Sequence, residues 1–335
     1  MVPIHSLGAE TRILSITLLV WSSFIVFIVF VVALDLGVFH RRPHVVSLRE
    51  ALVWTLVWIA LALIFNVCIY FLYEYNPAGW DIDTAQLSGR EAALQYLVGY
   101  IVEKSLSIDN IFVIAMVFSS LAVPREQQHR VLFWGIFGAV ILRGIMILFG
   151  AVLIAKFDWV VYVFGAILLL SAARMLTLRQ DTINPEEHFA IRLVRRIYPV
   201  TSGFRGKHFF VMEDGVKKVT PLFLALLLVE ASDVTFAVDS IPAIFAVTRD
   251  PFIVFTSNIF AILGLRSLFF VLDGMMERFR YLKPSLVFLL AYIGVKMMLQ
   301  HHYPIPNAIS LAVISGILFV GVLASLRDPK TRGHS

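Results

Sequence analysis

A chain of 335 residues, 59% hydrophobic and only 15% charged, carries more apolar surface than a soluble core can bury, and it reads as a polytopic membrane protein. Its one cysteine, Cys68, excludes disulfides within the chain and thiolate metal clusters. The formal charge of +5 does not point to nucleic acid, because Lys and Arg gather in alternate loops between apolar segments.

In chain order the sequence predicts nine apolar spans, at 13–34, 52–73, 94–121, 131–155, 159–178, 220–246, 252–272, 282–299 and 305–326. Each is long enough to cross about 30 Å of hydrocarbon as a helix. The first is too long for a signal-peptide core and shows no clear small-residue cleavage site, so it reads as an anchor. Basic residues concentrate after spans one, three, five and seven and in the C-terminal tail, which predicts an N-terminus outside and a C-terminus in the cytoplasm. The loop 74–93 agrees, since Glu74, Asp81, Asp83 and Glu91 make it acidic.

The one long connection, 179–219, is then cytoplasmic. Residues 186–198 space Phe189, Leu193, Val194 and Ile197 as an amphipathic helix against the membrane, with Arg192, Arg195 and Arg196 suited to anionic headgroups. A hairpin follows, turning at Asp214-Gly215. The plain reading of this segment is a basic connector that orients and anchors.

The apolar spans repeat themselves. Aligning Asp109 with Asp239 places Asn110 on Ser240 and Glu103 on Asp233, and further on places Arg143 on Arg266. Spans three to five and six to eight begin on opposite sides, so the two copies form an inverted-topology repeat, a plan common among secondary transporters. The fold expected is an all-α membrane protein. It comprises a two-helix region over 1–93, a first three-helix repeat over 94–178, the loop 179–219, a second repeat over 220–300, and a last helix with its tail over 301–335.

Five carboxylates lie inside the apolar spans of these repeats, and each costs about 2.5 to 3.5 kcal/mol at a bilayer centre unless it faces protein, water or an ion. At helical spacing Glu103, Ser107 and Asn110 form one stripe, and Asp233, Ala237 and Ser240 the matching one, with Glu230 on the same face. Glu103 and Asp109 are about 9 Å apart along an unbroken helix, so either the helix opens or there are two sites. Pro242 motivates an opening next to Asp239. Antiparallel spans should bring Glu103 towards Asp239, and Asp109 towards Glu230 or Asp233. Oxygen donors without Cys or His suit Mg²⁺, Ca²⁺ or Mn²⁺; the same acids would also serve as a proton relay, or pair with Lys104, Arg143, Arg266 or Lys296. Arg174, near a span end, reads as a snorkelling residue, and His301 and His302 as ordinary loop residues.

The stretches 34–36, 47–51 with Trp54, 103–112, 229–245, 258–266 and 294–297 resemble the TerC family of integral membrane proteins, its Alx-like members in particular. The resemblance implies a bacterial cytoplasmic (inner) membrane protein, a place in the wider LysE-like exporter group, and manganese export. It also implies that Glu103, Asp109, Asn110, Glu230, Asp233, Asp239 and Ser240 match the family's acidic motifs. Ala237, opposite Ser107, breaks the internal symmetry without contradicting the family pattern. A membrane scaffold or assembly factor, or an amino-acid exporter, are the alternatives. No nucleophile–base pair, nucleotide loop or redox cysteine pair suggests an enzyme, and no resident cofactor or nucleic-acid partner is expected. The partners expected are the cation and the surrounding lipid.

Overall fold

The computed structural model describes residues 18–31, 47–75, 87–177, 188–273 and 281–327. Helices α1 (Leu18–Val31), α2 (Leu48–Tyr75), α3 (Gly89–Ser120), α4 (Arg125–Lys156) and α5 (Val160–Thr177) come first. Then follow α6 (Phe189–Ile197), strands β1 (Phe210–Glu213) and β2 (Val216–Val219), α7 (Pro221–Phe245), α8 (Pro251–Leu263), α9 (Leu265–Asp273), α10 (Leu282–Leu299) and α11 (Asn307–Arg327).

Among the described residues, six helices (α2, α4, α5, α7, α10 and α11) are long and apolar enough to cross a membrane, and α8 with α9 makes a seventh if that bent pair is one span. The nine expected spans are not all of this kind. Helix α3 has the length, with 32 residues, but Glu103, Lys104 and Asp109 interrupt its apolar run. Of the first expected span only α1 falls within the described residues, as do none of Asp35, Asp81, Asp83 and the tail beyond Arg327.

Capping chemistry sets several boundaries. Helix α3 begins before its apolar run because the Ser88 hydroxyl accepts from the Glu91 backbone N–H while the Glu91 carboxylate accepts from the Ser88 backbone N–H. Asp250 caps α8 by accepting from the N–H groups of Phe252 and Ile253, and Tyr73 of α2 donates to its other oxygen at 2.8 Å. The opening expected at Pro242 does not occur. The proline deprives only the Val238 carbonyl, near the end of α7, and the helix runs unbroken to Phe245. The discontinuity falls instead at Gly264, where α8 and α9 meet at 42°.

The hairpin is as expected from Asp214-Gly215, with φ of 54° and 76° at the two turn residues, as a type I′ turn requires. Hydrogen bonds from Arg205 and Lys218 hold the Glu213 carboxyl below its usual range.

Helix α3 lies at the centre, packed on α2, α7 and α8; α4 packs on α7 and α8, and α5 on α10. Outward faces are apolar and exposed, as at Ile64, Ile145, Phe149 and Val320, which is the surface a bilayer accepts. Helices α5 and α10 cross at a pair of glycines: a Cβ on Gly165 would lie 3.2 Å from the Gly294 carbonyl, and one on Gly294 3.1 Å from the Gly165 carbonyl. Gly165→Ile should therefore destabilise the detergent-purified protein by about 1 to 3 kcal/mol, read as a lowered unfolding midpoint. Gly316→Ile, which meets nothing within 4 Å, should leave the midpoint unchanged.

Candidate functional site

Arg143 reaches from α4 into the space between α3 and α7. Its Nη1 donates to Glu103 on α3, and its Nε and Nη2 donate to the two oxygens of Asp233 on α7 at 3.2 and 2.8 Å. Ser240 Oγ lies 3.4 Å from Nη1, and Asn258 of α8 donates from Nδ2 to the second Glu103 oxygen at 3.3 Å. Arg143 is 1% exposed and Glu103 is fully buried. Only a guanidinium presents donors in a fork able to serve two carboxylates at once, so one cation and two anions share a single network.

The remaining acids are placed differently. A cavity of about 850 Å³ lies between α3, α5, α7 and α10. Asp109, Asn110, Asp239 and Ser240 line it, and Glu103 and Arg143 also reach its wall. Ser171 of α5 donates to Asp239 at 2.5 Å. Arg174, His188 and Lys283 line the same cavity where α5 ends and α10 begins. The buried Asn110 Oδ1 and Ser107 Oγ have no hydrogen-bond partner among the described residues.

Glu230 is not part of the cavity wall. Its carboxylate lies against Gly138 of α4, in space that any Cβ there would fill, and its Oε2 is buried without a hydrogen-bond partner among the described residues. Lys104 donates to the Ala261 carbonyl at 3.2 Å, beside the bend at Gly264, where the negative end of α8 favours an ammonium. Lys296 donates to Asn307 Oδ1 at 3.0 Å, and Arg266 is buried on α9, outside the cavity wall. Among the described residues, Arg143 is the basic candidate whose hydrogen bonds reach Glu103 and Asp233. Glu103 meets Asp233 through Arg143, whereas Asp239, on the wall of the same cavity, is held by Ser171.

Continuous helices explain this sorting. With α3 and α7 unbroken, the acids separate into an Arg143-clamped group, Glu103 and Asp233, and a cavity-facing group, Asp109 and Asp239. No three His, Cys, Asp or Glu side chains converge to hold a metal ion among the described residues. Four contributors were not singled out from sequence: Asn258, Ser171, His188 and Lys283. Asn258 carried a signal, an amide within an apolar span; Ser171 and Lys283 carried none, and Arg174 was read as a snorkelling residue.

Removing Arg143 leaves two buried carboxylates uncompensated, which costs about 3 to 5 kcal/mol. Arg143→Gln should lower the unfolding midpoint accordingly. Adding Glu103→Gln and Asp233→Asn should restore most of the loss, because the uncompensated charges are then gone. Equal midpoints for the single and triple variants would contradict the network.

The integral membrane protein TerC family matches residues 88–332. An uncharacterized membrane protein of Myxococcus xanthus is 50% identical over 306 residues, covering 91% of each chain. A protein of Escherichia coli strain K12 named putative membrane-bound redox modulator Alx is 44% identical over 322 residues, covering 95% of this chain and 98% of its own. An uncharacterized membrane protein of Rickettsia bellii is 39% identical over 306 residues, covering 91% and 96%. No solved structure matches. The wider LysE-like grouping draws no support from these matches. With the helical bundle and the family match over most of its length, the chain belongs to the integral membrane protein TerC family.

Proposed function

We propose that the chain is a secondary transporter that exports a divalent cation, Mn²⁺ foremost, through the carboxylate-lined cavity, with protons moving the other way. The carrying observation is the cavity itself: Asp109 and Asp239 face it with the oxygens of Asn110, Ser171 and Ser240 nearby, while Arg143 at its wall holds Glu103 beside it and Asp233 behind it. Two carboxylates and neutral oxygens suit a hard divalent cation, and the choice of Mn²⁺ and of outward transport rests on the family resemblance. A divalent cation and two protons are electrically equivalent loads for the Asp109–Asp239 pair, which makes antiport the simplest coupling.

Alternating access needs two halves that rock, and the inverted repeat supplies them. Its support lies in the packing. Helix α3 packs on α8 as α4 packs on α7, and α5 pairs with its counterpart α10. At the first contact Gly99 receives Ser257, and at the corresponding one Gly135 receives Val229, each within 2.9 Å of the missing Cβ. Counting α1, α3 and the bent α8–α9 pair as spans gives the nine of the topology proposed here. Loop charge supports a cytoplasmic side for α6 and the hairpin, on which reading the cavity opens inward past Arg174, His188 and Lys283.

The name of the Escherichia coli relative speaks of redox modulation. Here Cys68, exposed on α2, is the one cysteine of the chain, so no dithiol forms within it.

Two measurements test this reading. In proteoliposomes with a pH gradient the wild type should accumulate radiolabelled Mn²⁺, and Asp239→Asn should lower the rate more than tenfold while keeping the wild-type unfolding midpoint, because a cation needs the charge that a hydrogen bond does not. Wild-type flux in Asp239→Asn would remove the site assignment, and competition by lysine would favour amino-acid export. For topology, in a Cys68→Ala background, a cysteine at Tyr303 should react with an impermeant reagent added outside cells and one at Arg205 should not.

A further inference from the structure

Helix α6 has three faces with different partners. Ile191, fully buried, and Val194 pack into the core with Val219, Leu222 and Ala225, where α6 meets α7. Phe189, Leu193 and Ile197, four residues apart, form an apolar stripe turned away from that core and are 71, 47 and 63% exposed. Exposed Arg192 and Arg196 border the stripe, about 60° and 20° from Phe189 at 100° per residue. An apolar stripe edged by arginines, on a helix packed against the start of a membrane-crossing helix, is left exposed by the described residues, and water does not favour such a surface. The charge of its border and its place beside α7 identify what covers it.

We infer that α6 is a docking surface for anionic lipid headgroups. Phe189, Leu193 and Ile197 enter the boundary between headgroups and acyl chains, while Arg192 and Arg196 bind the phosphate-bearing headgroups of acidic phospholipid. Ile191 keeps the helix on α7, so docking orders a segment that is already tied to the bundle. His188, which caps α6 by accepting from the Ala190 N–H, also lines the cavity. The docked helix therefore brings the lipid surface to the cavity rim. The inference rests on the chain being embedded in a bilayer; it needs neither transport nor a particular orientation.

The test uses the full chain in a Cys68→Ala background with Leu193→Cys carrying an environment-sensitive fluorophore, and Lys207→Cys, at an exposed loop position, as control. The labelled protein is placed in vesicles of phosphatidylcholine alone, or with about a third phosphatidylglycerol, each containing a shallow nitroxide-labelled lipid as quencher. The label at position 193 should be quenched strongly in the phosphatidylglycerol vesicles, and less in phosphatidylcholine or at high salt. The Lys207→Cys label should stay unquenched. Arg192→Gln with Arg196→Gln, both at exposed positions, should reduce the docked-to-undocked ratio about 25-fold, from about fivefold per arginine. A label at 193 as unquenched as the control in both vesicles overturns the docking. Equal quenching in both vesicles, unchanged in the double variant, overturns the role of anionic lipid.

Discussion

A guanidinium buried between two carboxylates inside a membrane bundle is stable only while all three groups stay together, and here they come from three helices. Arg143 on α4 ties Glu103 on α3 to Asp233 on α7, with Asn258 of α8 holding the free oxygen of Glu103. In surroundings where a lone charge costs several kcal/mol, this network fixes the rotation of α3 and α7 about their own axes. The rotation in turn decides which acids remain open. With Glu103 clamped, Asp109 falls on the cavity side of α3, and with Asp233 clamped, Asp239 falls on the cavity side of α7.

The cavity-facing pair is held more loosely. Asp239 has a hydroxyl donor in Ser171, and the basic groups of Arg174 and Lys283 share the cavity with Asp109 and Asp239 with no ion pair to either acid among the described residues. A site meant to load and release cargo calls for acids stabilised enough to remain in the bundle yet free to exchange one positive partner for another. The division of labour between a locked group and an open group is the physical basis of the transporter reading. Gly99 and Gly135 let the side chains of Ser257 and Val229 seat closely between helices, and at the Gly165–Gly294 crossing the two backbones themselves come into contact.

Much of this was legible in the residues. Apolar runs located the helices α2, α4, α5, α7, α10 and α11, the Asp214-Gly215 pair announced the hairpin, and the spacing of Phe189, Leu193 and Ile197 announced α6. Buried charges in apolar segments pointed to Glu103, Asp109, Asp233, Asp239 and Arg143. What stayed hidden depends on helix rotation and on partners distant in sequence. Lys104 and Lys296 look equivalent to Arg143 as buried cations, but one serves the carbonyl at the α8 bend and the other Asn307, contacts with no local pattern. Pro242 suggested a break that its position near the helix end makes unnecessary, whereas Gly264, a weaker signal, marks the real one. Arg174 was read from its distance to a span end, which says nothing of the cavity beside it.

Direct cation binding tests the central claim without relying on a gradient or on orientation in vesicles. The electron paramagnetic resonance signal of free Mn²⁺ is titrated with detergent-purified protein, wild type against Asp109→Asn with Asp239→Asn. The wild type should remove the free signal, and the double variant, folded with its Arg143 network intact, should not. Equal loss of signal in both proteins, or loss in neither, would contradict that claim.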